Sequence, residues 1–116
     1  MHDHDAITAG IRFVEASGWP SSLNVGHDME YVATNALYDA MLGRCVVGLG
    51  LLEAFPELTD QGVVEMRREV MRTQQAVRHE DRRIFLRDED GVMRERYFSF
   101  TYQPWFGAEG VVGVLT

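Results

Sequence analysis

The side chains with the most chemical reach in this 116-residue chain are one cysteine, four histidines and 18 carboxylates set against 11 basic residues, all of them arginine. Cys45 lies in Gly43-Arg44-Cys45-Val46-Val47, where a small polarizable side chain packs as a hydrophobe rather than waiting as a nucleophile. His27-Asp28 with Glu30, and His2 with His4, resemble metal ligands in composition only, because no Cys/His pair has zinc-site spacing. His79 stands between Arg78 and Glu80, and a histidine flanked by charges reads as solvated or capping. Gly48-Leu49-Gly50-Leu51-Leu52 begins like a dinucleotide loop, yet Glu53 stands where the third glycine belongs and no strand feeds the motif. A nucleophile elbow and a P-loop are both missing. Asp39 and Glu53 are the carboxylates that a small enzyme of the α+β type, isomerising or dehydrating an apolar substrate, would bury as its acid. Their positions assign them to helix surfaces instead, so no catalytic residue and no metal ligand is expected.

The charge balance narrows the partners. A net charge of −7 without a single lysine repels a phosphate backbone, so nucleic acid is not an expected partner. The arginines gather between Arg67 and Arg83, but Glu65, Glu69, Glu80 and Asp81 are interleaved with them, the pattern of a solvated, salt-bridged helix face. A lone cysteine excludes an internal disulfide framework and fits a reducing compartment. The polar start Met1-His2-Asp3-His4-Asp5 is no signal peptide, and the longest apolar run, Cys45 to Leu52, is too short to span a membrane. A cytoplasmic protein of one domain is therefore expected, since a chain of this length buries about two-thirds of its unfolded surface.

The elements that must position any site follow from periodicity. The last third reads as three strands, Arg82 to Arg87, Val92 to Gln103 and Val111 to Leu115, with Asp90-Gly91 turning the first into the second. In the middle strand Phe98, Phe100 and Tyr102 share one face while Tyr97, Ser99 and Thr101 share the other. That apolar face needs cover, and the rest of the chain supplies it. Residues 1–20 read as a flanking helix, Asp5 to Ser17, closed by Gly18 and Pro20. Its stripe Ile7, Ile11 and Val14 either folds back on the sheet or makes a homodimer interface. Ser21 to Gly26 and Glu30 to Thr34 read as strands, Asn35 starts a helix that runs to Leu42, and Leu51 to Phe55 is a short helical turn stopped by Pro56. The longest helix is predicted from Val63 to Val77, capped by Thr59 or Asp60, with Val63, Met66, Val70 and Val77 inward and Arg67, Arg68 and Arg72 outward. Together these elements predict an α+β fold, a five-stranded antiparallel sheet with helices on one face plus the N-terminal flanking helix. The chain starts with methionine and stops at Thr116 beside a strand, which suggests the N-terminal piece of a longer protein.

Residues 21–116 resemble a PAS domain, the sensory and dimerisation module of signalling proteins. The resemblance rests on Tyr31-Val32-Ala33-Thr34-Asn35-Ala36-Leu37-Tyr38 with Leu42-Gly43-Arg44, on Glu53-Ala54-Phe55-Pro56-Glu57-Leu58, and on Tyr97 to Pro104 followed by Glu109 to Val114. The last two strands are similar to those of bacterial sensor histidine kinases. The resemblance implies a non-catalytic module that binds a small ligand or partner in a pocket between the long helix and the sheet. It implies regulation of an output domain in the same chain beyond Thr116, a histidine kinase first and a diguanylate cyclase second. Carried over, the pocket residues are Phe55, Val70, Gln74, Phe85, Phe100 and Tyr102, with Gln74 and the Tyr102 hydroxyl as the polar groups. A filled core serving purely structural dimerisation is the other reading of the same aromatics. The resemblance requires no cofactor: Cys45 lacks the Gly-Arg-Asn-Cys-Arg-Phe-Leu-Gln-like setting that flavin photosensors of the LOV branch use, and His79 is poorly placed for haem ligation.

Overall fold

The computed structural model describes residues 2–116, with side chains from Asp3 onward, so the His2 side chain lies outside the described residues. Five strands, β1 (Ser22–Val25), β2 (Glu30–Thr34), β3 (Val77–Arg87), β4 (Met93–Gly107) and β5 (Gly110–Leu115), form one antiparallel sheet in the order β2-β1-β5-β4-β3. Helices α1 (His2–Ala16), α2 (Ala36–Leu42), α3 (Leu51–Ala54) and α4 (Val63–Thr73), with a 3-10 turn at Pro56–Leu58, complete the fold. The α+β architecture and the fivefold antiparallel sheet are those expected from the sequence.

Two apolar layers sit on opposite faces of the sheet because its side chains alternate. Val114 joins the main core with Tyr31, Phe55, Leu58, Val63, Val70 and Tyr102, whereas its neighbour Leu115 joins Val14, Leu23 and Ala33 beneath α1. The flanking helix thus folds back on its own sheet, the first of the two readings of its stripe, and Ile11 and Val14 are used internally rather than as a homodimer interface. Val14 is fully buried, Ile11 packs against the cluster of Val14, Leu23, Ala33 and Leu115, and Ile7 is half-buried. The close approach depends on Gly10, where a β-carbon would lie 2.5 Å from Leu23 Cδ2, and Trp105 Nε1 clamps the helix by donating to the Ala6 carbonyl at 2.7 Å. Phe13, off that stripe, is exposed, with its ring centroid 5.8 Å from that of Trp105.

Asn35 caps α2 as expected and does more than cap. Its Oδ1 accepts from the Tyr38 and Ser21 amides at 3.0 Å each, and its Nδ2 donates to the Trp19 carbonyl at 2.6 Å. One buried side chain thereby fixes the α1–β1 connection to the start of α2. Substituting Asn35→Ala removes the cap and strands these groups, an expected loss of about 1–2 kcal/mol. Urea denaturation should show a lower midpoint with an unchanged slope.

The central strand β5 tolerates no side chain at Gly113. A β-carbon there would stand 2.3 Å from the Asn24 carbonyl oxygen, a backbone atom of β1 that cannot turn aside. Gly113→Ala is expected to cost about 1–3 kcal/mol through overpacking, read as a lowered Tm.

The structure departs from the sequence reading along α4 and β3. Helix α4 stops at Thr73, with Gln74 in the left-handed conformation (φ 58°), so Val77 opens β3 instead of extending the helical stripe. It begins at Val63 as expected, but its N-cap is Gly62, not Thr59 or Asp60. Strand β3 therefore absorbs Arg78 to Asp81 through a bulge between His79 and Arg82, where Asp81 sits at φ 50° and its amide donates to Ser99 Oγ at 3.1 Å. Strand β4 runs through Pro104, which interrupts nothing because the stretch from Gln103 to Gly107 pairs with β5 alone while β3 pairs only as far as Tyr102. Among the described residues no helix is long and apolar enough to cross a membrane.

Candidate ligand-binding cavity

The inner face of β3 and β4, helix α4 and the α2–α3 segment wall a half-open cavity of about 460 Å³. Period-two alternation aims Ile84 and Leu86 from β3, and Phe98, Phe100 and Tyr102 from β4, at the same space. Phe55 enters at the end of α3, Leu58 from the 3-10 turn, Val63 and Arg67 from α4, and Tyr31 and Tyr38 from β2 and α2. The lining continues past Ser17, Trp19 and Ser21 at the exit of α1 and reaches Thr116 at the end of the chain. The volume lies within the range of about 300–1,000 Å³ that small-molecule pockets occupy.

Three of the six residues carried over by resemblance meet in this cavity: Phe55, Phe100 and Tyr102. Val70 is fully buried but packs in the core rather than lining the space. Gln74 is a correction: the helix ends one residue before it, so its exposed side chain borders a shallow groove with Asp3, Met71 and Glu109 on the outside of the domain. Phe85 is a second correction. Its neighbours Ile84 and Leu86 face the cavity, so alternation turns Phe85 to the other side, where the Arg83 guanidinium lies 5.4 Å from its ring centroid.

Sequence reasoning also misplaced Arg67. Assigned to a solvated face, it is 3% exposed and lines the cavity. The signal was present: Arg67 follows Val63 by four positions and precedes Val70 by three, the centre of the inward stripe. Its Nη1 donates to the Tyr102 hydroxyl at 3.2 Å, and its guanidinium carbon lies 4.6 Å from the centroid of that ring. Its Nε is buried without a partner, and among the described residues no carboxylate lies within ion-pair distance of it.

Neutral donors surround this cation. Tyr31 and Tyr38 share a hydroxyl–hydroxyl hydrogen bond of 2.8 Å. Burial pushes the Tyr31 phenol well above its ordinary range, with Tyr38 adding to the effect, and burial raises Tyr102 against the opposing pull of Arg67. Both tyrosines stay protonated near neutral pH, so neither supplies Arg67 with a counter-ion. His79 flanks the site from β3, its ring 5.1 Å from Phe100 and 6.0 Å from Tyr102. Cys45 is exposed outside the cavity lining. The two carboxylates considered as buried acids also lie elsewhere: Glu53 is exposed and accepts from the Gly50 amide at 3.2 Å, and Asp39 accepts from Thr34 Oγ1 at 2.7 Å. No group of three or more His, Cys, Asp or Glu side chains suited to a metal ion occurs among the described residues.

No protein-family model and no curated protein matches this chain. Solved structures match it throughout. The chain is similar to the PAS domain of Bordetella pertussis BvgS, with a TM-score of 0.69 at 16% identity over 96% of this chain and 82% of that one. It is similar to a Rhodobacter sphaeroides LOV protein, with a TM-score of 0.67 at 12% identity over 97% of this chain and 65% of that one. A structure of VqmA bound to DPO matches with a TM-score of 0.60 at 20% identity, over 93% of this chain and 55% of that one. Strand order, helix placement and these likenesses define the fold: it is a PAS fold.

Proposed function

We propose that this domain is a sensory module in which a small molecule occupying the cavity biases the ends of the domain, and through them an attached output domain, a histidine kinase by the resemblance of its last strands. The observation that carries the reading is the cavity itself, open between α4 and the inner sheet face and walled by aromatics around a few placed polar groups. An open cavity is what separates a ligand sensor from an interaction module with a filled core. The likeness to VqmA, solved bound to DPO, supports the same reading. A hydrogen-bonded route leads outward from the cavity: Tyr38 lines it, the Tyr38 amide is held by Asn35, and Asn35 holds the α1–β1 connection. A ligand shifts such an equilibrium only by its differential affinity for the two arrangements. The proposed setting is cytoplasmic.

Comparing the mass of the purified protein under native conditions with its mass after denaturation tests the reading. A carried small molecule lost on denaturation is expected. Identical subunit masses, together with no binding in a metabolite screen, would overturn it. Homodimerisation belongs to the same proposal, but Val14 and Ile11 are committed to the sheet. Exposed aromatics that a second copy could cover include Phe13, Trp19, Tyr97 and Phe106. Light scattering should show association at high concentration, and a strict monomer would remove this part.

A further inference from the structure

We propose that the cavity takes an organic monoanion, a carboxylate seated against Arg67 with its apolar body between Phe55, Phe98, Phe100 and Ile84. The inference rests on the sensory reading and specifies the ligand class of that cavity. A guanidinium stays protonated, and a buried cation without a counter-ion is among the costliest groups a core can hold. In this chain it is 97% removed from solvent by the 3% exposure of Arg67, with Nε unpartnered.

A hydrogen-bond census gives the sign of the missing partner. Tyr102 accepts from Arg67, which leaves the Tyr102 proton to donate. In the Tyr31–Tyr38 pair one hydroxyl donates to the other, which leaves one more proton free. The polar end of the cavity thus offers donors and the Arg67 charge, and among the described residues no Asp or Glu lines it. The complementary group is an acceptor-only anion.

The shape of the site narrows that anion. Arginine presents parallel N–H groups in a plane that a carboxylate matches. The other arginine on the lining, Arg78, is 3.5 Å from Glu80 and donates to Thr101 Oγ1 at 3.1 Å, so it is already partnered. Among the described residues Arg67 is the cation on this lining that has no carboxylate beside it, so a monoanion balances it, and a dianionic phosphate ester would leave a second charge among the aromatics.

Calorimetric titration of the full chain with 3-phenylpropanoate and octanoate, each against its primary amide, tests the assignment. At least one acid is expected to bind about tenfold or more tightly than its amide, as a charge-assisted pair demands. Arg67→Met should abolish that preference, while Arg67→Lys should retain part of it, and circular dichroism establishes that both variants fold. Phenyl phosphate should bind more weakly than 3-phenylpropanoate. Amides that bind as tightly as their acids would overturn the anion assignment and leave the sensory reading standing. A neutral molecule carried through purification would do the same. Binding of neither acids nor amides, with no carried molecule, would overturn both.

Discussion

Glu57→Ala is expected to remove about 3 kcal/mol of stability, near the lower end of the cost of breaking a buried ion pair. The Glu57 side chain is 1% exposed, and its carboxylate takes Arg44 on both oxygens and the Arg87 amide at 2.8 Å. Arg44 in turn donates to the carbonyls of Ala54 at 2.7 Å and Arg87 at 3.0 Å, and its guanidinium carbon lies 4.6 Å from the Phe55 ring centroid. One pair therefore joins α3, the turn after it and the end of β3, and it holds a wall of the cavity. Arg44 keeps 24% of its side-chain exposure, so it retains some water when its partner is lost, which keeps the estimate at the low end. A Tm lowered by roughly 10 °C is the expected reading. A shift of only a degree or two would show that the pair anchors nothing.

The same group sets a pH dependence. Burial alone would raise the Glu57 carboxyl, but the hydrogen bonds from Arg44 and the Arg87 amide outweigh it and hold the group below its ordinary value of 4.5. In the unfolded chain it titrates near that ordinary value. Its stabilising contribution is therefore complete above about pH 4.5 and is lost as the pH falls through the lower folded value. Glu57→Gln should be less stable than the parent chain at neutral pH and should approach it in acid. His79 acts in the same direction at higher pH, because burial and then Arg82 lower its pKa and favour the neutral ring. Both chains carry His79, so the difference between them isolates Glu57.

What the sequence made legible was decided by whether a residue's surroundings were local. The period-two face of Phe98, Phe100 and Tyr102 needed only the strand itself, and Asn35 needed only the helix it starts; all four are where periodicity and capping place them. The misplacement of Phe85 came from register, since a shift of one residue turns every side chain of a strand over and only the pairing of β3 with β4 fixes it. Gln74 was misread because its left-handed turn carries no glycine to announce the helix end. Arg67 was misread for a different reason. Its helical phase was plain, but residue type overruled phase, because arginine is almost never buried without a partner. When pattern and chemistry disagree at one position, that position is where function is best sought.

That disagreement makes Arg67→Met the most informative single substitution. In the ligand-free protein, methionine is expected to raise stability by about 1–4 kcal/mol, as replacing buried ionic groups with apolar ones of similar size does elsewhere. The Tm should rise by roughly 4–12 °C. Three terms decide the sign. The guanidinium loses its solvation, recovers part through the Tyr102 ring and one hydrogen bond at 3.2 Å, and leaves Nε unsatisfied. Methionine fills comparable volume, removes the charge, and leaves behind only a tyrosine hydroxyl that already has a proton to donate. A residue whose removal stabilises the fold is one whose cost is offset only when something binds, and the gain should therefore be confined to the ligand-free state. Protein loaded with a tight-binding carboxylate should show the opposite order, the parent chain melting above Arg67→Met. A lower Tm for the variant in both states would mean that Arg67 holds the core together by itself, with its three tyrosines as sufficient partners.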